Sequence, residues 1–388
     1  MLIAKLKMNI GIDIRSLMEK EITGVGEYTY HLLKHLFEID NKNNYYLFYN
    51  SRQNVEKYIP SFPKDNVHYC KFEFPNKLLS LSLKLFNYPK LDQWIVKKYN
   101  VSNIDLFIFP NLAFLQTNCP YILTSHDLSF EFFPEFLSFK RKLWHKIINP
   151  RKLFQNAKKV ISVSENTRSD LIDHYLVQPK KIKTIASGIN QSYKILNGSD
   201  PKFKKIRKKY KLPKNFILYL GTIEPRKNIG GLIDAFQKFK KKNHSDLELV
   251  IAGKLGWKYK QFLKKANLDK QIHFVNFIHD KEKRYFYNMA ELFLYPSFYE
   301  GFGFPPLEAM ACGCPVVTSN NSSMSEVCED AAILIDPNNI QDIVRAMETI
   351  LQPENRQNFV EKGLLQAKQF NWYQTAREVL QTIESLQK

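Results

Sequence analysis

Two glutamates and two adjacent cations are the residues whose types and spacing best suit chemistry. Glu300 and Glu308 lie in YPSFYEGFGFPPLEAMACGCPVVTSN, residues 295–320, and Arg226 and Lys227 lie in GTIEPRKN, residues 221–228. An Arg guanidinium can bind a phosphate through two parallel hydrogen bonds, and a Lys ammonium adds a point charge. The two segments together predict a ligand site with a phosphate-binding part.

The glutamates are expected on a strand, loop, helix, strand unit. Residues 292–295 form an apolar run of strand length that Pro296 ends, and a second strand begins near Cys314. Ligands of such units bind at the carboxyl ends of the strands. We therefore expect the loop 297–304, which contains Glu300, to face a cleft.

The glycines and prolines after Glu300 exclude a helix there and predict one that begins at Pro305 or Pro306. Glu308 would then lie in the first helical turn. A carboxylate in a first turn can simply stabilise the helix dipole, by about 0.3–1 kcal/mol. This position alone therefore does not indicate a ligand.

The two cations lie between a predicted strand, residues 216–220, and a helical pattern whose apolar positions begin at Leu232. The unpaired N–H groups at the start of that helix would converge with Arg226 and Lys227 on one place, which is a phosphate-binding arrangement. In a chain this basic, an Arg-Lys dipeptide can also be a solvated surface pair. The preceding strand and the glutamate loop favour the phosphate site.

Two further segments follow predicted strands of the first half. Gly24, Val25 and Gly26 precede a helical pattern, and a plain tight turn is the alternative to a ligand-binding loop; a dinucleotide fingerprint is excluded because a third glycine is missing. His126 and Asp127 come directly after the strand 121–125. A single histidine is often structural, but a His-Asp pair at a strand tip is well placed to contact a sugar.

These segments resemble the retaining glycosyltransferases of family 4, which have the GT-B fold and include bacterial mannosyl- and rhamnosyltransferases of surface-polysaccharide assembly. The resemblance extends over nearly the whole chain. GTIEPRKN and EGFGFPPLE are its most specific parts, and the others are GIDIRSL, TGVGEYTYHLLKHL, TSHDLSF, VISVSENTRSDLIDHY and KIKTIASGIN. It implies an α/β protein of two Rossmann-like, doubly wound domains that face a central cleft.

The resemblance also implies roles for individual residues. Arg226 and Lys227 would stabilise the negative charge that develops on the leaving diphosphate. Glu300 would act as a catalytic residue that contacts the donor sugar near its anomeric carbon, without assigned nucleophilic attack, and His126 would be a further catalytic residue. Glu308 would accept hydrogen bonds from the ribose. The remaining expected contacts are Gly301, Phe302, Gly303, Gly221, Gly253 and Val275 around the donor, and Gly24, Val25, Gly26 and Asp127 on the opposite wall of the cleft.

The implied reaction moves a hexose to a glycan or polyprenyl-linked saccharide. Mannose from GDP-mannose is the first candidate, and UDP- and dTDP-linked sugars are the alternatives. No cofactor is expected, and because the sequence has no Asp-x-Asp pair to hold a divalent ion, we expect metal-independent transfer without metal ligands. Two other functions stay open: a GT-B nucleotide-sugar epimerase, and a non-catalytic basic protein that binds polyanions or membranes.

The composition limits the partners. The 388 residues carry a formal net charge of +19, which favours anionic partners, but no nucleic-acid-binding module accompanies it, so we expect no nucleic-acid partner. Segments 77–98 and 139–159 interleave apolar and basic residues, as helices on an anionic membrane surface do. Core-packed helices with a solvated lysine face are the alternative.

The sequence contains no stretch of 18 apolar residues, no recognised leader and no disulfide pattern among its five cysteines. We therefore expect a cytoplasmic protein, with peripheral attachment to the inner face of the cell membrane as an option.

Alternating strand and helix patterns predict a first domain of residues 1–195, a basic linker of 196–212 and a second domain of 213–370. The family resemblance implies that a C-terminal helix in 371–388 returns to the first domain. Residues 1–7 precede the first strand, and we expect them to be either a dispensable extension or the result of an early assigned start. The predicted strands are 9–14, 45–49, 106–109, 121–125 and 159–163 in the first domain, and 216–220, 247–252, 272–275, 292–295, 315–319 and 332–335 in the second.

Overall fold

The computed structural model describes residues 7–21, 23–266 and 269–387. The chain divides into two compact units, which we describe separately. The first unit consists of Met1–Leu128, Phe139–Gly188 and Trp372–Lys388, and the second of Ser129–Ser138 and Ile189–Asn371. Most of the predicted N-terminal extension, residues 1–6, lies outside the described residues, as does Lys388.

The strands and helices alternate along most of the chain. The strands are β1 Asn9–Asp13, β2 Asn44–Asn50, β3 Val67–Phe72, β4 Leu106–Phe109, β5 Tyr121–Ser125, β6 Lys159–Ser162, β7 Ile182–Thr184, β8 Phe216–Leu220, β9 Glu248–Ala252, β10 Ile272–Val275, β11 Leu292–Tyr295, β12 Val316–Ser319 and β13 Ile333–Ile335. The helices are α1 Gly24–Ile39, α2 Asn76–Leu85, α3 Leu91–Tyr99, α4 Ser129–Phe132, α5 Phe139–Ile148, α6 Pro150–Asn156, α7 Glu165–Tyr175, α8 Lys202–Tyr210, α9 Ile229–Asn243, α10 Tyr259–Ala266, α11 Asp280–Met289, α12 Phe304–Ala311, α13 Met324–Cys328, α14 Ile340–Ile350, α15 Pro353–Lys368 and α16 Trp372–Glu384. Short 3₁₀ turns lie at Arg15–Leu17, Pro134–Phe136, Pro179–Lys181, Pro225–Lys227 and Glu329–Ala331.

Each unit is built on a parallel sheet. The strand order is β3-β2-β1-β4-β5-β6-β7 in the first unit and β10-β9-β8-β11-β12-β13 in the second. All residues of β4, β8 and β11 are buried. Continuous apolar strands of this kind belong to parallel sheets that helices cover on both faces, so the expected pair of α/β domains is confirmed.

The first sheet has two strands that the sequence did not predict. They are β3 and β7, and both lie at the edges of the sheet. β3 carries exposed His68 between buried positions, and β7 has only three residues. Edge strands need less apolar sequence than central ones because one side of the ladder is open to solvent.

The division between the units differs from the predicted one. The chain passes into the second unit after Gly188, and the segment 196–212, predicted as a linker, contains helix α8. Ile206 of α8 is buried, and the ring of Tyr210 at its end packs on Phe286 with centroids 5.1 Å apart. The basic segment is therefore a packed part of the second unit. It was predicted as a linker because its many lysines obscure the apolar face of α8 in the sequence.

The C-terminal helix α16 belongs to the first unit, where its first residue packs against α1. The Trp372 ring lies 5.7 Å from the ring of Tyr28 and 5.4 Å from that of His31, measured between centroids. Among the described residues, we find no helix with the length and apolar character that crossing a bilayer requires.

Candidate active site

The central strands of the second sheet bring the predicted cations and Glu300 together. β8 and β11 are hydrogen-bonded neighbours, with Leu292 opposite Ile217 and Phe293 opposite Leu218. The turn Pro225–Lys227 follows β8, and the loop that contains Glu300 follows β11. Both connections leave the carboxyl edge of the sheet, so residues separated by 73 positions in sequence become direct neighbours.

Glu300 is the centre of a buried ion cluster. The Lys227 Nζ donates to Glu300 Oε1 and, at 2.8 Å, to the hydroxyl of Tyr295. Arg226 Nη1 lies 3.3 Å from Glu300 Oε2, and Arg226 Nη2 lies 3.1 Å from Glu224 Oε1. Lys227 and Glu300 are only 7% and 8% exposed. The two cations predicted to bind phosphate thus contact a carboxylate.

The protonation state of Glu300 follows from this surrounding. Burial opposes ionisation, but the charges of Lys227 and Arg226, together with hydrogen bonds from Lys227 and Ser297, outweigh it and lower the pKa of Glu300 to about 2. Burial, aided by the neighbouring charge of Arg226, lowers the pKa of Lys227. Glu300 is therefore an ionised hydrogen-bond acceptor at neutral pH and not a proton donor.

Three serines hold the loop around Glu300 in place through hydrogen bonds. Ser297 Oγ donates to Glu300 Oε1 at 2.6 Å. Ser322 Oγ accepts from the backbone N–H of Glu300 at 3.0 Å, and Ser323 Oγ donates to the carbonyl oxygens of Glu300 and Phe302, both at 3.0 Å. Side-chain bonds of this kind fix the carboxylate in place before any ligand arrives.

The glycines after Glu300 set the start of helix α12. Gly303 has φ +107°, which favours glycine, and the helix begins at the next residue, Phe304. Glu308 therefore lies in the second turn. The prediction that it lies in the first turn is wrong, because the helix begins one or two residues before the expected start at Pro305 or Pro306. Its Oε2 accepts a hydrogen bond from the Tyr287 hydroxyl at 2.8 Å, so this carboxylate has a specific partner and not only a helix dipole.

Gly301 and Phe302 lie in the same loop and are buried. The ring of Phe302 packs on Phe304 and Phe370, with centroids 5.1 and 5.7 Å away. The side chain of Phe302 thus anchors the loop, and only its backbone is left for the predicted donor contact.

Three more predicted donor residues lie together at the ends of β8, β9 and β10. The N–H of Gly221 donates to Ala252 O at 3.0 Å, and the N–H of Gly253 donates to Val275 O at 3.1 Å. Gly253 has φ +140°, and a Cβ there would lie 2.0 Å from Gly221 O. Close backbone packing therefore suffices to explain glycine at this position.

The first unit holds the remaining predicted residues. His126 follows β5; its Nε2 donates to Pro110 O at 2.7 Å, and its ring packs edge-on against Tyr28 with centroids 4.7 Å apart. Burial lowers the pKa of His126, which favours the neutral imidazole. Asp127 is the next residue of the same connection.

The predicted glycine loop before α1 has a different structure from the one expected. Gly24, Val25 and Gly26 form the first turn of α1, and Thr23 caps the helix by accepting a hydrogen bond from the N–H of Gly26. A threonine cap makes a helical start possible directly at the glycines. The backbone amides of this segment are thus those of a helix N-terminus and not of a free loop.

Comparisons with known proteins identify the family. A family model described as glycosyl transferases group 1 matches residues 202–366, and one described as Glycosyltransferase Family 4 matches residues 22–193. O-antigen chain mannosyltransferase B of Escherichia coli is 30% identical over 366 residues, which cover 90% of this chain and 93% of that protein. The chain belongs to glycosyltransferase family 4. It is therefore an enzyme, and the non-catalytic and epimerase alternatives are not retained.

Two further similarities concern a second named relative of this glycosyltransferase and a solved structure with the same fold. A Campylobacter jejuni enzyme named N-acetylgalactosamine-N,N'-diacetylbacillosaminyl-diphospho-undecaprenol 4-alpha-N-acetylgalactosaminyltransferase is 27% identical over 234 residues, 59% of this chain and 60% of that protein. The Anabaena protein HepE, solved with UDP and glucose, covers 98% of this chain and all of its own, with a TM-score of 0.72 and 19% identity. The second likeness shows the shared fold, GT-B, in which both domains have parallel sheets.

Sequence reasoning missed several residues that hold the two glutamates of this glycosyltransferase. Tyr295, Ser297, Ser322 and Ser323 bond Glu300, and Tyr287 bonds Glu308. The signal for Ser322 and Ser323 was the run NNSS directly after the last residue of β12, at the same sheet edge as Glu300, and Ser297 lies in the loop 297–304 that was expected to face a cleft. In the described ranges, no group of three or more His, Cys, Asp or Glu side chains could hold a metal ion, and metal-independent transfer stays a prediction.

Proposed function

We propose that this glycosyltransferase moves mannose from GDP-mannose, with retention of configuration, to a glycan or polyprenyl-linked saccharide during surface-polysaccharide assembly. The observation that carries the chemistry is the ionised Glu300 between Lys227 and Arg226 at the carboxyl edge of the second sheet. The choice of mannose rests on the likeness to an O-antigen chain mannosyltransferase. The lipid-linked acceptor rests on the relative whose name contains diphospho-undecaprenol.

The proposed chemistry begins with the breaking of the bond between the anomeric carbon and the β-phosphate oxygen. Negative charge then grows on the diphosphate, and Arg226 and Lys227 would stabilise it. Positive charge grows on the sugar, where the carboxylate of Glu300 would offset it and accept hydrogen bonds from hydroxyls. The acceptor hydroxyl attacks from the face that the diphosphate leaves, and its proton passes to the leaving phosphate oxygen.

Donor binding would have to change the contacts that Arg226 and Lys227 make with Glu300. Both cations contact Glu300 directly. A diphosphate that binds them must share them with Glu300 or take over part of their hydrogen bonds. Glu308, which accepts a hydrogen bond from Tyr287, would also accept hydrogen bonds from the ribose hydroxyls.

A donor screen tests the substrate. The purified protein is examined with GDP-mannose, UDP-glucose, UDP-N-acetylgalactosamine and dTDP-rhamnose for thermal stabilisation and slow donor hydrolysis, with and without EDTA. We expect GDP-mannose alone to stabilise the protein and to be hydrolysed equally in EDTA. Stabilisation by a UDP- or dTDP-sugar alone would make the proposed donor wrong, and loss of hydrolysis in EDTA would make metal independence wrong. The anomeric configuration of the product, read by NMR, tests retention.

Substitutions of the cluster test the site. Lys227→Met and Glu300→Gln should each lower kcat by about 10²–10³, because each removes a charge that acts on the transition state. Lys238→Met on α9, which removes an exposed lysine, is the matched control and should keep kcat. Full activity of Lys227→Met would contradict the assignment.

A further inference from the structure

The densest group of exposed apolar side chains in the described part of the chain lies on α2 and the segments next to it. Six large apolar side chains between residues 74 and 88 are from 45% to 74% exposed: Phe74, Leu78, Leu81, Leu85, Phe86 and Tyr88. Single exposed apolar residues are common, but a group of this density indicates an interaction surface.

Helix α2 has two apolar stripes, and only one is used for packing. Leu79 and Leu83, four residues apart, are buried against the unit. Leu78, Leu81 and Leu85 have the spacing i, i+3, i+7 and therefore share another face, which is open to solvent. The outer stripe is not required to hold the helix in place.

Lysines border this outer stripe. Lys77 and Lys84 are seven residues apart, so they lie on the same side of α2, next to Leu81, and both are exposed. Residues 74–90 contain three lysines and no aspartate or glutamate. The preceding acid, Glu73, is paired with Lys71 at 2.7 Å. Long lysine stems can follow apolar surface while their ammonium groups stay in a polar layer.

The start of α5 repeats this pattern. Phe139 and Leu143, four residues apart, are exposed among Lys140, Arg141, Lys142 and Lys146, and residues 139–148 contain no acidic side chain. α5 belongs to the first unit, as α2 does.

One loop contacts both segments. Gln116 Nε2 donates to Asn87 Oδ1 at 2.9 Å, just after α2. Two residues earlier, the ring of Phe114 packs against that of Trp144 on α5, with centroids 6.0 Å apart. The two segments are therefore neighbours, and we name residues 74–90 and 139–146 together the basic apolar surface.

We propose that the basic apolar surface binds the interface of a bilayer that contains anionic phospholipid. The exposed leucines and phenylalanines would enter the boundary between headgroups and acyl chains, and the lysines would contact the lipid phosphates. A second copy of this chain is a poorer occupant, because pairing two such surfaces would bring like charges together. The inference goes beyond the proposed function, and a lipid-linked acceptor, if that function holds, would be met at the same membrane.

Vesicle co-sedimentation of the full chain tests the inference. We expect binding to vesicles of phosphatidylcholine with phosphatidylglycerol, little binding to phosphatidylcholine alone, and weakening by salt. Leu85→Ser/Phe86→Ser and Lys77→Glu/Lys84→Glu should each reduce the bound fraction at limiting lipid by about tenfold.

Matched controls separate the surface from general effects. Leu365→Ser/Tyr373→Ser replaces two side chains that are 63% and 56% exposed elsewhere, and Lys238→Glu/Lys241→Glu on α9 makes the same change in net charge as the lysine variant. Both controls should bind as the unmodified protein does. Donor hydrolysis in solution should be unchanged in all four variants, so a failed donor site is distinguished from a failed membrane surface.

Three results would overturn the inference. The first is no binding of the unmodified protein to anionic vesicles. The second is equal binding by surface variants and controls. The third is a dimer in sedimentation velocity that Leu85→Ser/Phe86→Ser dissociates, which would assign the surface to a second copy.

Discussion

Glu300 illustrates how a carboxylate stays charged while it is almost fully buried. Removing a carboxylate from water is costly, but two cations within contact distance and two hydroxyl donors compensate. The compensation is specific to this arrangement, since removing Glu300 would take away the carboxylate that pairs with the buried Lys227. A substitution of Glu300 should therefore change both the catalytic rate and the free energy of unfolding.

The hydroxyl of Tyr295 bonds both Lys227 and Glu300, so its removal tests whether it positions this ion pair for catalysis. It donates to Glu300 Oε1 at 3.0 Å and accepts from Lys227 Nζ at 2.8 Å. Tyr295→Phe should lower kcat by about tenfold with little change in KM, because one hydrogen bond to a charged group is lost while the ring stays. Steady-state donor hydrolysis measures this.

Tyr219→Phe is the matched control for that substitution. Its ring stacks on Tyr295 with centroids 5.6 Å apart, but its hydroxyl donates to Thr222 O and not to Glu300. We expect kcat within about twofold of the unmodified enzyme, given that no hydrogen bond to the charged pair is lost. Equal losses in both variants would show that ring packing, and not the hydroxyl, controls activity.

The pH dependence of stability should carry the signature of Glu300. Its folded pKa of about 2 lies below the ordinary value of 4.5, so its contribution is fully present above pH 4.5 and is lost as the pH falls toward 2. A shift of this size corresponds to about 3 kcal/mol. Urea unfolding of the unmodified protein and of Glu300→Gln should give free energies that converge as the pH falls from 4.5 to 2. A constant difference would contradict the lowered pKa.

At the scale of elements, the site depends on which strands are neighbours. β8 and β11 lie side by side in the middle of the sheet, although β9 and β10 come between them in sequence. The cations arrive from one strand and the carboxylate from the other. Because the sheet does not follow the order of the strands in sequence, the connections that follow β8 and β11 lie next to each other. Ligands of doubly wound sheets bind at an edge of this kind.

The closeness of β8 and β9 predicts a strong effect of a single methyl group. Gly253→Ala would put its Cβ 2.0 Å from Gly221 O, at φ +140°, where side chains are strained. The backbone has to move, so we expect a loss of several kcal/mol in the free energy of unfolding, about 3 or more. Gly198→Ala is the control, because nothing lies within 4 Å of its added Cβ, and it should change stability by less than about 0.5 kcal/mol. Chemical denaturation of both variants measures the difference, and similar values would refute the steric explanation.

The strands and helices also show which parts of the fold could be predicted from the sequence and which could not. Strands such as β4, β5, β8, β10 and β11 were predicted with their observed bounds, because short apolar runs between polar turns define buried parallel strands. The edge strands of the first sheet, β3 and β7, were missed. The start of α12 was placed one or two residues late, because Gly303 adopts a conformation that no pattern reveals. The bond between Lys227 and Glu300 depends on strand order, which local sequence does not encode, whereas the motifs themselves pointed to both residues.

At the scale of the whole molecule, the chain does not finish one unit before it starts the other. It leaves the first unit for Ser129–Ser138, returns, leaves again after Gly188, and comes back at Trp372. The rings of Phe132 and Phe133 pack on Tyr299 within the second unit, with centroids 5.6 and 5.8 Å away. Each unit therefore contains segments that are far apart in sequence.

The returning helix should contribute strongly to the stability of the first unit. Trp372 is buried against Tyr28 and His31, so Trp372→Ala should lower the free energy of unfolding by about 3–5 kcal/mol through lost packing. Tyr373→Ala alters the next residue, which is exposed, and should have an effect of less than about 0.5 kcal/mol. Urea unfolding followed by far-ultraviolet circular dichroism measures both. A weak effect of Trp372→Ala would mean that α16 adds little to the first unit.

The path of the chain also sets an order of events on the ribosome. The second unit has all of its residues once Asn371 has been synthesised, whereas the first unit still lacks α16. The part of the protein that emerges first is thus the last to be completed, and until then the surface of α1 around Tyr28 lacks its cover. Nascent chains that stall before Trp372 should therefore carry a finished second unit beside an open first one, and chaperones that bind exposed apolar surface should retain them.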